Sequence, residues 1–163
     1  MHNVSKKLPA PVIQDHPAYH VIGVKEQHSF VEGIITTIAG QWESFMTRIH
    51  EIGDRGTAAL GVCFSIPGEN PFDYITGAIV NNDASSTVPE GMCKVTLEPQ
   101  TYAIFTHTGP VAGLTVTYQE IDQWLKENGK YKRAATPDFE YYDERFTGND
   151  NMDSQFDIYI PVV

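Results

Sequence analysis

From Ile34 onward, the apolar positions Ile34, Ile38, Trp42, Phe45, Ile49 and Ile52 recur at steps of three or four. That spacing lays one apolar stripe along a helix, and Gly53 stands where a helix stop belongs. A helix over residues 34–52 is expected. Leu114, Tyr118, Ile121 and Leu125 repeat the period, with Trp124 beside them, Gly109 and Pro110 at the entry and Gly129 at the exit. This second stripe predicts a helix over 112–128. Around the helices the period shortens to that of strands. "YHVIGV" (19–24) precedes the first helix, and "LGVCFSI" (60–66) and "FDYITGAIV" (72–80) follow it, joined by "PGENP" as a hairpin. "KVTLEPQTYAIFTH" (94–107) precedes the second helix, and "FEYYDERF" and "QFDIYIPVV" (155–163) follow it, joined by the polar "TGNDNMDS".

The order strand–helix–strand–strand thus occurs twice, in halves over roughly 11–80 and 91–163 with a polar linker at 81–90. Short echoes accompany it, "PAYHVIG" against "PQTYAIF" and "FDYI" against "FDIYI". With 163 residues the chain is expected to form one α+β domain, a pseudo-twofold duplication. Its largely antiparallel sheet would carry helices on one face and a groove on the other.

Charge narrows the function. A net charge of -10 argues against binding to nucleic acid, whose phosphates demand a basic surface, and suits a cationic ligand. No apolar run approaches the roughly 20 residues of a membrane span. The start "MHNVSKKLPAPVIQ" has no apolar core of a secretory signal, so a cytoplasmic location is expected. Cys63 and Cys93 form neither a disulfide framework nor a CxxC pair, and the six histidines have no zinc-site spacing. Phosphate-binding, dinucleotide-binding and serine-elbow motifs are absent, so neither a cofactor nor a metal is expected.

One residue breaks the pattern. In "PDFEYYDERF", Glu140 stands among Phe139, Tyr141, Tyr142 and Phe146. An ionised carboxylate is costly to bury alone. Either the strand is an edge with Glu140 in water, or an apolar site needs one negative charge. Strand alternation puts Glu140 and Tyr142 on one face, Phe139 and Tyr141 on the other. Phe139 and Tyr141 suit the side covered by helices, which would turn Glu140 and Tyr142 into the groove opposite. Tyr19, Phe64, Tyr74, Phe105 and Tyr142 are candidates for its aromatic lining, since aromatic faces offer apolar area and attract cations. Tyr74 and Tyr142 occupy related strands of the two halves. Trp42 and Trp124 read as structural, and His107 as a satisfied or exposed histidine near the groove's border.

The stretches "NPFDYITGAIV", "VPEGMCKVTLEPQTYAIFTHTGPV", "PDFEYYDERF" and "FDIYIPVV" together resemble the GyrI-like small-molecule-binding domain. That domain also serves as the effector-binding module of AraC-type and MerR-type multidrug regulators. The resemblance implies a groove for amphipathic, often cationic compounds, with a glutamate matching Glu140 at its bottom. It implies a binding protein first, in a sequestering or regulatory role or acting on a protein partner such as gyrase. The first strand starts near Tyr19, which leaves no space for a helix-turn-helix, so direct DNA binding is not expected. Some stand-alone relatives hydrolyse reactive, cyclopropane-bearing electrophiles, which gives a second reading. There Glu140 acts as general base and Tyr142 as proton donor. A purely structural interaction module is the third.

Overall fold

A computed structural model of the chain describes residues 8–29, 37–64, 71–81 and 87–163. Eight strands and two α-helices follow in the order β1 (Val12–His16), β2 (Tyr19–His28), α1 (Ile38–Met46), β3 (Arg55–Cys63), β4 (Phe72–Val80), β5 (Cys93–Leu97), β6 (Gln100–Thr108), α2 (Leu114–Glu127), β7 (Asp138–Tyr142) and β8 (Gln155–Pro161). The first helical stripe splits into α1 and a short 3-10 turn at Ile49–Glu51, and residues 34–36 lie outside the described set. Most of "PGENP" and residues 82–86 of the expected linker lie outside it as well. The run 94–107 divides at Glu98 and Pro99 into β5 and β6, and β1 is an additional strand.

All strands join one antiparallel sheet in the order β1-β6-β8-β7-β3-β4-β2-β5. Read inward from either end, each four-strand half has the same plan. A short outer strand is followed by the three strands of one strand–helix–strand–strand unit. The two units meet at the β3–β7 pair, where Gly61 faces Glu140. The outer strands are exchanged: β1 leads into β2 yet pairs with β6, and β5 leads into β6 yet pairs with β2.

That exchange bends the sheet. Only Pro17 and Ala18 separate β1 from β2, although five strands lie between them in the sheet. Three chain steps reach about 11 Å at most, whereas six strand spacings of a flat sheet cover about 29 Å. Glu98 and Pro99 impose the same limit between β5 and β6. The sheet therefore curls until its two ends approach. On the inner face, Tyr19 of β2 meets Phe139 of β7 edge-on at 6.0 Å, though β4 and β3 lie between those strands.

The inner face is a core in itself, built from Val21, Leu60, Val62, Ile75, Leu97, Tyr102, Phe139 and Tyr159. A cavity of about 290 Å³ remains at one end, bordered by Phe64, Leu97 and Tyr102. Both helices pack on the outer face. Phe45 and Trp42 of α1 lie over Ile22, Ala78 and Val80, and Ile121, Tyr118 and Trp124 of α2 lie over Phe105, Phe156 and Ile158. This corrects the expected orientation of β7. Phe139 and Tyr141 join the inner core, and Glu140 and Tyr142 point outward, beneath the helices. A curled sheet supplies its own second layer, so its inner side needs no helix to cover it.

Each helix is tied to its preceding strand by a buried histidine. His28, the last residue of β2, donates from Nε2 to Gln41 Oε1 at 2.5 Å and accepts at Nδ1 from the Thr37 hydroxyl at 2.5 Å. The roles follow from Gln41, whose amide nitrogen donates to the carbonyls of Val24 and Tyr74 and so turns its oxygen to the ring. In the second half, His107 donates from Nε2 to the Pro110 carbonyl at 3.0 Å and accepts at Nδ1 from Thr117 at 2.7 Å. His107 is thus a satisfied core histidine. Stranding buried donors and acceptors costs about 1–3 kcal/mol each. Gln41→Leu should therefore lower unfolding free energy by about 3 kcal/mol in urea titrations, and exposed Glu43→Ala by less than about 0.5 kcal/mol.

Candidate functional site

Glu140 sits where the two halves meet, and its carboxylate is held by three phenols. Oε1 accepts from Tyr142 at 2.8 Å and from Tyr74 at 3.3 Å, and Oε2 accepts from Tyr118 at 2.8 Å. Tyr74 Oη in turn accepts from the Trp42 indole N–H at 3.1 Å, which directs its own hydrogen towards Glu140. The Trp42 ring also lies edge-on to Tyr142 at 5.2 Å. α1 and β4 of the first half supply Trp42 and Tyr74, and α2 and β7 of the second supply Tyr118, Tyr142 and the acid.

Small residues make this convergence possible. On β3 the positions opposite Asp138, Glu140 and Tyr142 are Cys63, Gly61 and Ala59. A methyl on Gly61 would stand 1.9 Å from Tyr74 Oη and 2.8 Å from its Cζ, with Trp42 Cζ2 at 3.1 Å. The phenol of Tyr74 therefore lies across the space that a side chain at 61 would fill. Glycine here serves close approach, with its backbone in an ordinary strand.

Glu140 as a whole residue is partly buried, and desolvation dominates the protonation of its carboxylate. Burial pushes the Glu140 pKa up; the hydrogen bonds from Tyr142 and Tyr118 pull it down, the nearby Asp138 charge raises it, and the weaker Tyr74 bond lowers it. The balance is a raised pKa. Burial, with the adjacent Glu140 charge, lifts the phenols of Tyr74, Tyr118 and Tyr142 above the usual tyrosine range, so they stay hydrogen donors. Asp138, buried on the same face, is paired with Arg133 at 2.5 Å.

Of the six residues proposed from sequence, the structure brings Glu140, Tyr142 and Tyr74 together. Phe105 lies on the same face but is buried against Trp124 at 5.5 Å, in the packing beneath α2. Tyr19 and Phe64 lie on the inner face, with Tyr19 bonded to His16 and Phe64 beside the cavity. Two members were missed. Trp42 reads as structural, yet its N–H orients Tyr74, and Tyr118 reads as one step of a helical stripe, yet its hydroxyl reaches Glu140. Both are polar-tipped aromatics within apolar stripes, and that was their only available signal. Among the described residues no cluster of three or more His, Cys, Asp or Glu is placed to hold a metal. No described helix is long and apolar enough to cross a membrane.

Comparison with known proteins agrees with this fold. The chain is 37% identical over 153 residues to the transcriptional regulator BrlR of Pseudomonas aeruginosa. The match takes in 92% of the chain and 54% of BrlR, so the chain spans about half of that regulator's length. Its fold is similar to that of SAV2435, solved bound to tetraphenylphosphonium, with a TM-score of 0.72, 18% identity, and coverage of 94% of this chain and 93% of that one. It is also similar to a solved protein from Staphylococcus aureus MU50, with a TM-score of 0.70, 18% identity, and coverage of 93% of this chain and 97% of that one. Residues 9–163 match the GyrI-like small molecule binding domain, and the chain belongs to that family.

Proposed function

We propose that the chain binds amphipathic cations between α1 and α2, with Glu140 as their counter-charge. The observation that carries this reading is a carboxylate withdrawn from bulk water and framed by an indole and three phenols. In such surroundings a charge is costly alone and gains most from a partner. Aromatic walls supply contact area and cation–π attraction without dictating one ligand shape. The tetraphenylphosphonium held by SAV2435 supports a cationic ligand. The chain would act as the ligand-sensing or sequestering part of a response, as BrlR suggests for a regulatory context. The same acid suits a second reading, hydrolysis of a reactive electrophile. A raised pKa fits Glu140 to activate water, whereas the raised pKa of Tyr142 suits it to hydrogen-bond donation and not to protonating the leaving atom. Mass spectrometry of the recovered ligand separates the two, because a binder returns it unchanged.

Glu140→Gln keeps the shape and removes the charge. Affinity for a lipophilic cation should fall at least tenfold, about 1.4 kcal/mol, by calorimetry, while a neutral analogue binds as before. Equal cation affinity in both proteins would overturn the proposal. The raised pKa fixes the pH response: cation affinity is full above it and falls as pH drops through it. Folding responds in the opposite sense. The stability contributed by protonated Glu140 is present below the unfolded-state pKa and lost as pH rises through the folded one. Glu140→Gln suffers no such loss, so at neutral pH its melting temperature should equal or exceed that of the wild type.

Gly61→Ala tests the arrangement around the acid. The methyl must drive Tyr74 aside, and overpacking of this kind costs about 1–3 kcal/mol. Adding Tyr74→Phe removes the atom nearest the methyl, so the double variant should recover part of that loss in a thermodynamic cycle. Strict additivity would show that Gly61 does not serve Tyr74.

A further inference from the structure

A carboxylate offers about four acceptor positions, two on each oxygen. In Glu140, Tyr74 and Tyr142 use both positions on Oε1, and Tyr118 uses one on Oε2. The Tyr74 oxygen already accepts from Trp42. What is left for a ligand is one carboxylate position and the phenol oxygens of Tyr118 and Tyr142, whose lone pairs are partly withdrawn into their rings. The charge is present, but its hydrogen-bonding capacity is nearly spent.

We infer that these hydroxyls make the site select among cations by donor count. It would favour those without N–H groups, such as quaternary ammonium or phosphonium ions, over primary ammonium ions of the same shape. This inference rests on the proposal that Glu140 is the counter-charge. An ammonium group brings three donors and must leave water to enter. Each donor stranded in an apolar cleft costs free energy, whereas a donor-free cation needs only Coulombic attraction and aromatic contact. Tyr118 is the specificity-determining group, because it alone contacts Oε2 among the described residues. It reaches that oxygen from α2, whereas Tyr142 lies on the same strand as the acid.

The test uses a matched pair of probes, (1-naphthylmethyl)ammonium and its N,N,N-trimethyl derivative, at a pH where both are charged. Calorimetry on the full chain should give the trimethyl probe at least tenfold tighter binding. The added methyl groups contribute apolar area to that ratio, so the decisive quantity is its change on substitution. Tyr118→Phe opens a second position on Oε2, and the preference should shrink at least threefold, chiefly through tighter binding of the primary ammonium. Tyr142→Phe, which opens a position on Oε1, provides an independent variant and should move the ratio the same way. An unchanged ratio in both variants, or no preference in the wild type, would overturn the inference. Glu140→Gln separates the two levels of argument. If it binds both probes as tightly as the wild type, the counter-charge reading itself falls. If it loses both while the tyrosine variants leave the ratio unmoved, the counter-charge stands and selection by donor count is wrong. Failure of the wild type to bind either probe overturns both.

Discussion

Two short connections constrain everything else in this fold. Pro17 and Ala18, and again Glu98 and Pro99, join strands lying far apart in the sheet order. A flat sheet cannot satisfy either, so the sheet curls, and the curl decides which side chains meet. The inner face becomes a closed aromatic core, with Phe139 stacked on Tyr159 at 4.5 Å and Tyr102 edge-on to both. The outer face is left to the helices. α1 and α2 each cover one half, and the β3–β7 seam between them is where polar tips from both halves reach one another. The position of Glu140 is therefore a consequence of sheet closure.

Local periodicity made much of this legible. Ile38, Trp42 and Phe45 mark α1, Leu114 through Leu125 mark α2, and "FDYITGAIV" coincides with β4. What escaped depends on partners distant in sequence. β1 is an edge strand whose residues "VIQDH" are partly exposed, so no alternation announces it. The run "KVTLEPQTYAIFTH" looks continuous, and only the pairing of β5 with β2 and of β6 with β1 and β8 shows that Pro99 divides it. The orientation of β7 escaped because alternation separates two faces without saying which one the helices take.

The site shows the same division. Glu140 was legible as an anomaly, since an acid among aromatics needs an explanation wherever it lies. Tyr142 followed from sharing its face. Trp42 and Tyr118 did not follow, because a helical stripe reports that a residue faces inward and says nothing about what the far end of its side chain meets. An indole N–H and a phenol O–H in a stripe have to find acceptors, and here they find them in one shared network.

The facing of Glu140 and Gly61 across the seam bears on how a duplicated chain acquires a single-charge centre. Two identical copies would meet in a symmetric pair, with like residues side by side at about 5 Å between Cβ atoms. Two acids there would repel, and one would hold its proton. Two glycines would leave the centre without a charge. Only once the copies are fused, and free to differ, can one contribute the carboxylate and the other the empty space into which Tyr74 leans. In this chain the divergence of the halves has its clearest chemical use at the place where they touch.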